Sequence, residues 1–115
     1  MSAEIKEMLT TIELYISQVD SLLNKAYREG KDEKEELYYK LGYFILLSVP
    51  DAEERFTELT QSLPISYSDF GIEETEAEKQ AYYISYLKTM RNTLVSFKEE
   101  LQIKIPKENI INQPV

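Results

Sequence analysis

Between Thr75 and Leu101 the apolar residues return with the period of a helix. Tyr83, Leu87, Met90, Leu94, Phe97 and Leu101 follow one another at spacings of four, three, four, three and four, and no Gly or Pro interrupts them. A stripe of that kind is one face of a long amphipathic helix, which must find other helices or a sheet to cover it. The remaining segments supply helices. Residues 3–29 carry Ile5, Met8, Ile12, Tyr15, Val19, Leu22 and Ala26 in the same rhythm, widened by Leu9, Ile16 and Leu23. Arg28 and then Gly30 mark the end of this first helix, a cation complementing the dipole and a glycine suited to a C-terminal cap.

A second helix is expected from Asp32, with Glu35 three residues later as its capping-box partner. From Leu37 to Val49 its polar face disappears: Leu37, Tyr38, Tyr39, Leu41, Tyr43, Phe44, Ile45, Leu46 and Leu47 point in every direction around it. A helix apolar all round has to be covered all round. Gly42 in its interior suggests a close helix crossing, because glycine there otherwise costs about 1 kcal/mol against alanine. Pro50 separates this helix from a short third one, whose stripe is Ala52, Phe56, Leu59 and Leu63 and which stops at Pro64. Thr75 and Glu78 form a second capping box, which opens the fourth helix. That helix should end near Gln102, since Pro106 disfavours helix at the residue before it.

The chain thus predicts an all-α fold: a single four-helix bundle of three longer helices and one short one, mainly antiparallel. The bundle domain spans residues 1–102, and 103–115 form an irregular C-terminal tail. The core should contain Ile12, Val19, Leu22, Leu41, Phe44, Ile45, Leu59, Leu87, Met90, Leu94 and Phe97. Residues 64–72 make an apolar loop in which Ile65, Tyr67, Phe70 and Ile72 alternate with turn-forming residues. Such a loop either packs down as a lid on the bundle end or presents Tyr67 and Phe70 to a partner.

Composition excludes several chemistries. The chain has no cysteine, so disulfides, thiolate nucleophiles and thiolate metal sites are all absent. It has no histidine, which removes the commonest general base at neutral pH and the Glu-x-x-His motifs of di-iron bundles. No serine or threonine has an evident base to activate it. No cofactor motif is present, and no catalytic residue can be named. Glu33-x-x-Glu36 and Glu73-x-x-Glu76 place two carboxylates on one helix face, as a magnesium-dependent hydrolase of the small all-helical type would need. Both pairs lie in or before a first turn, where acids are favoured by the helix dipole alone, so no metal ligand is assigned.

Two features point to a partner. The chain has nine tyrosines. Tyr39 with Tyr43 and Tyr82 with Tyr86 are each four apart, on one helix face, within the segments that lack a polar side. Tyrosine suits an interface, where the ring is buried and the hydroxyl stays near water. These four residues are the expected partner or dimer interface of a non-enzymatic interaction, scaffold or regulatory module, self-associating as a homodimer. The second feature is charge. The net charge of −8 is concentrated in residues 51–80, which carry −7. Asp51, Glu54, Glu58, Glu73, Glu74 and Glu76 would form an acidic surface, and the alternative function is an inhibitor that imitates nucleic acid in a partner's basic groove. Like charge disfavours direct binding to nucleic acid or an anionic membrane. A charged N-terminal segment and an apolar run of only nine residues, Leu41 to Val49, predict neither leader nor membrane span. The expected compartment is the cytoplasm, or the host cell interior for a viral or phage product.

Overall fold

A computed structural model describes the backbone of residues 2–48 and 52–112 and the side chains of residues 4–48 and 52–103. The chain folds into four helices: α1 Ser2–Leu23, α2 Tyr27–Ser48, α3 Ala52–Ser62 and α4 Glu76–Asn112, with a 3-10 turn at Tyr67–Phe70 between α3 and α4. No strand occurs among the described residues. None of these helices is long and apolar enough to cross a membrane.

Side-chain pairs give the directions. Asp20 meets Arg91, and Glu13 meets Lys98, so α1 and α4 run antiparallel. Tyr15 packs against Phe44 across the antiparallel α1–α2 pair. Tyr38 meets both Phe56 and Thr60, and Arg55 reaches Glu100, so α3 is antiparallel to α2 and to α4. The α2–α4 pair is the parallel one, with Lys34 beside Tyr82 and Tyr38 beside Tyr86. Helices α1 and α3 occupy opposite corners, with no close backbone approach between them among the described residues. At 1.5 Å per residue α4 is roughly 55 Å long, which accounts for the elongated shape of 65 × 27 × 17 Å.

The core is a single apolar cluster. Ile12, Val19, Leu22, Leu41, Ile45, Leu59, Leu87, Met90, Leu94 and Phe97 are buried as their periodicity predicts. Leu37, Tyr83, Tyr86 and Leu101 join them. Phe44, expected in the core, is only half-buried, because it lies on the flank of α2 and meets the Tyr15 ring edge-on.

Three boundaries differ from the sequence expectation. First, α1 ends at Leu23 and α2 starts at Tyr27, so Gly30 caps nothing and sits buried inside α2. The break is made by turn bonds from the Asn24 and Lys25 amides to the Ser21 and Leu22 carbonyls. The Ala26 carbonyl then accepts from the Glu29 and Gly30 amides to open α2. The free Tyr27 amide donates to Gln80 Oε1 at 2.8 Å, a cap supplied from α4. Second, Asp32 and Glu35 therefore lie within α2 and cap nothing, whereas the Thr75–Glu78 box forms as expected, with reciprocal bonds of 3.3 and 3.1 Å. Third, the expected irregular tail after Gln102 is helical backbone as far as Asn112. Pro106 withdraws one N–H from the ladder, but the turns on either side continue it. Residues 113–115 of that tail lie outside the described residues.

Candidate functional site

The outer face of α2 carries an apolar feature that the bundle leaves uncovered. Leu37, Leu41 and Ile45 turn inward, which rotates Tyr39, Tyr43, Leu46 and Leu47 onto the opposite side. Those four residues are 70%, 71%, 53% and 79% exposed. Their spacing of four, three and one makes a single stripe, bordered by the Glu36–Lys40 ion pair at 3.3 Å. Two tyrosines and two leucines, each more than half exposed and contiguous on one helix face, form the kind of apolar patch associated with interaction sites. A helix with no polar side was expected to be covered all round, yet α1, α3 and α4 reach only part of its circumference.

The four tyrosines singled out from the sequence do not share a surface. Tyr39 and Tyr43 are exposed, whereas Tyr86 is buried and Tyr82 half-buried. Tyr86 packs at 6.0 Å from the Tyr38 ring and 5.9 Å from Tyr82, between α2 and α4. Burial pushes the phenols of Tyr82, Tyr83 and Tyr86 above the ordinary tyrosine range.

Sequence reasoning missed Lys34. It is only 7% exposed. Its Nζ stands 4.1 Å from the Tyr86 ring centroid and 5.0 Å from that of Tyr82. No hydrogen bond or ion pair holds the ammonium among the described residues, so the two π-faces are its main electrostatic partners. Desolvation lowers its pKa below the usual lysine value, and the nearby Glu35 carboxylate partly opposes this. A signal existed: Lys34 precedes Leu37, Leu41 and Ile45 at spacings of three, four and four, in the core-facing stripe of α2.

A second apolar feature is the loop after α3. Its Ile65, Tyr67, Phe70 and Ile72 side chains are 71%, 55%, 69% and 54% exposed, so the loop does not pack down as a lid. Its backbone is nevertheless well tied. The Ser66 hydroxyl and the Ser68 amide both donate to Glu74 Oε1, the latter at 3.0 Å. Gly71 closes the 3-10 turn at φ 74°, in the left-handed region that suits glycine. These bonds, the Ser66 hydroxyl foremost, hold the Glu74 carboxyl below the usual glutamate range. Between the loop and the first turns of α4 lies an open groove of about 520 Å³, with Tyr82 and Ala81 on the α4 side and Glu74 and Glu78 among its walls.

The remaining acids are dispersed. Glu54 and Glu58 are exposed on α3, Glu73 is exposed before α4, and Asp51 lies outside the described residues. Glu76 is engaged by Arg28 at 2.9 Å and by the Tyr27 hydroxyl at 2.5 Å, which together lower its pKa. Glu33 pairs with Lys25 and Glu36 with Lys40, each at 3.3 Å. Three of the four carboxylates in the candidate magnesium pairs thus face cations. No group of three or more acidic side chains among the described residues is placed to hold a metal ion. No protein family, curated protein or solved structure matches this chain.

Proposed function

We propose that this protein is a non-enzymatic protein–protein interaction module that self-associates through the outer face of α2. The observation that carries this reading is the stripe of Tyr39, Tyr43, Leu46 and Leu47, which stays more than half exposed and uncovered by any other helix among the described residues. An isologous dimer would lay the stripe of one copy on that of a second, each subunit burying the same residues. Tyr39 and Tyr43 would be the anchors, because tyrosine loses little side-chain freedom for the area it buries. Tyr82 and Tyr86 would support the face from beneath, through Tyr38 and Lys34, without contributing an exposed ring. The cytoplasm is the compartment proposed with this reading.

Sedimentation of the protein across a wide concentration range tests it. The wild type should pass from monomer to dimer as concentration rises, and Tyr39→Ser with Tyr43→Ser should stay monomeric with unchanged helical content. A wild type that remains monomeric at millimolar concentration would overturn the reading.

A further inference from the structure

We propose that the groove between the 64–72 loop and the start of α4 docks a basic amphipathic segment of a partner protein, apolar side chains against Ile65, Phe70 and Tyr82 and Lys or Arg against Asp69, Glu74 and Glu78. This surface is separate from the α2 stripe, and the inference stands or falls independently of self-association.

The loop's construction argues for a presented surface. Exposed turns usually carry polar residues, and apolar ones normally gain their order by packing inward. Here the order comes from Glu74, which accepts from Ser66 and Ser68, and from the left-handed Gly71, while Ile65 and Phe70 are left 71% and 69% exposed. The conformation is therefore set before any ligand arrives, which lowers the ordering cost of binding. The groove volume of about 520 Å³ lies in the range of formed binding sites.

Charge selects the occupant. Glu74 and Glu78 line the groove, and Asp69 and Glu73 directly neighbour its residues Phe70 and Glu74 in the chain. Burial foremost, and then the Asp69, Glu74 and Glu35 carboxylates, push the Tyr82 phenol up, so the surroundings of that hydroxyl are negative. Of the neighbouring cations, Lys79 lies 3.9 Å from Glu76 and has only a minor pull on Glu74, and Lys34 is buried against the Tyr82 ring. The site thus couples an apolar floor to a negative rim, the complement of a helix with one apolar and one cationic face. A second copy of this chain offers no such segment on its α2 stripe, where Lys40 is neutralised by Glu36.

The test is fluorescence anisotropy with a labelled helical peptide of about five turns, built from leucine and lysine in amphipathic order. A scrambled peptide of the same composition and a leucine–glutamate counterpart serve as comparisons. The ordered leucine–lysine peptide should bind, more tightly at low salt. Ile65→Ser with Phe70→Ser should weaken it by about tenfold or more, equivalent to about 1.4 kcal/mol. Both side chains are exposed, so this variant should keep the wild-type melting temperature. Asp69→Asn with Glu78→Gln, which retains an acceptor for the α4 cap, should flatten the salt dependence. Tyr39→Ser with Tyr43→Ser should bind as the wild type does. Absence of binding, equal binding of the scrambled peptide, or indifference to loss of Ile65 and Phe70 would each overturn the inference. Such a failure alongside intact self-association would leave the α2 reading untouched.

Discussion

Gly30 of α2 lies directly beneath the Tyr83 hydroxyl of α4: a β-carbon at Gly30 would stand 2.0 Å from that oxygen and 2.9 Å from the ring carbon that bears it. The hydroxyl donates to the Leu22 carbonyl at 2.5 Å, at the last turn of α1. One tyrosine thus ties the end of α1 to α4 across a gap in α2 that only glycine leaves open. In an exposed helix interior Gly→Ala stabilises by about 1 kcal/mol. Here Gly30→Ala should instead destabilise by roughly 1–3 kcal/mol, the usual cost of overpacking a filled core. Tyr83→Phe should cost about 1 kcal/mol for the lost hydrogen bond. The double variant should be less destabilised than the sum, because removing the hydroxyl relieves the closest clash. Urea denaturation of the four proteins checks this. Strict additivity would mean that the two residues do not oppose each other.

The buried Lys34 predicts how stability changes in alkali. Its folded pKa lies below the unfolded value. Between those two pH values the unfolded chain holds a proton that the folded chain has released, so raising the pH weakens the unfolded state's advantage. Replacing Lys34 with methionine removes this linkage. The stability of the wild type relative to Lys34→Met should therefore rise between pH 7.5 and 10. Tyr82 and Tyr86 act in the opposite sense above about pH 10, since burial keeps their phenols protonated while those of the unfolded chain ionise. That contribution begins only at about pH 10 in both proteins, so the comparison below it reads Lys34. Denaturation curves at the two pH values would show a constant difference if Lys34 were fully solvated.

The Glu74 clasp should open in acid. Its folded pKa is depressed by bonds from Ser66 and Ser68, so the clasp's contribution is complete above the unfolded glutamate pKa and is lost as pH falls through the folded one. In an amide chemical-shift titration, Ser68 should report a midpoint below the ordinary glutamate value. Glu74→Ala should abolish that step and raise the exchange rate of the Ser68 amide at neutral pH. A Ser68 shift that titrates identically in Glu74→Ala would reject the clasp.

The tyrosines should separate by substitution. Tyr86 is 9% exposed and packed against Tyr38 and Tyr82, so Tyr86→Ala should cost about 3–5 kcal/mol, as other aromatic truncations in cores do. Tyr39→Ser and Tyr43→Ser should leave the monomer within about 0.5 kcal/mol of wild type, since each ring is at least 70% exposed. Melting curves at low concentration restrict the comparison to the monomer.

The uneven legibility of these features has physical causes. The Thr75–Glu78 cap was readable because its two partners are three residues apart and its geometry is local. The α1–α2 break was not, because no Gly or Pro lies at 24–26 and the Tyr27 amide is capped by Gln80, 53 residues away. Gly30 carries the same local signature whether it ends a helix or accommodates Tyr83. The two tyrosine pairs look alike in sequence, yet one lies on the outside of α2 and the other includes a ring buried between α2 and α4. Lys34 sits in the apolar rhythm of α2, but a lysine in such a place is ordinarily assigned to the surface.

By itself, then, the sequence determined what depends on period and local bonding: four helices, the α4 stripe, ten of the eleven expected core residues, and the absence of thiol and imidazole chemistry. Tertiary structure decided what depends on which way each helix is rolled and what lies across from it. It set Tyr39 and Tyr43 outward, closed Tyr86 and Lys34 between α2 and α4, seated Tyr83 over Gly30, and held the apolar loop open on the Glu74 carboxylate. A helical period specifies a face, but only a neighbouring helix specifies whether that face is covered.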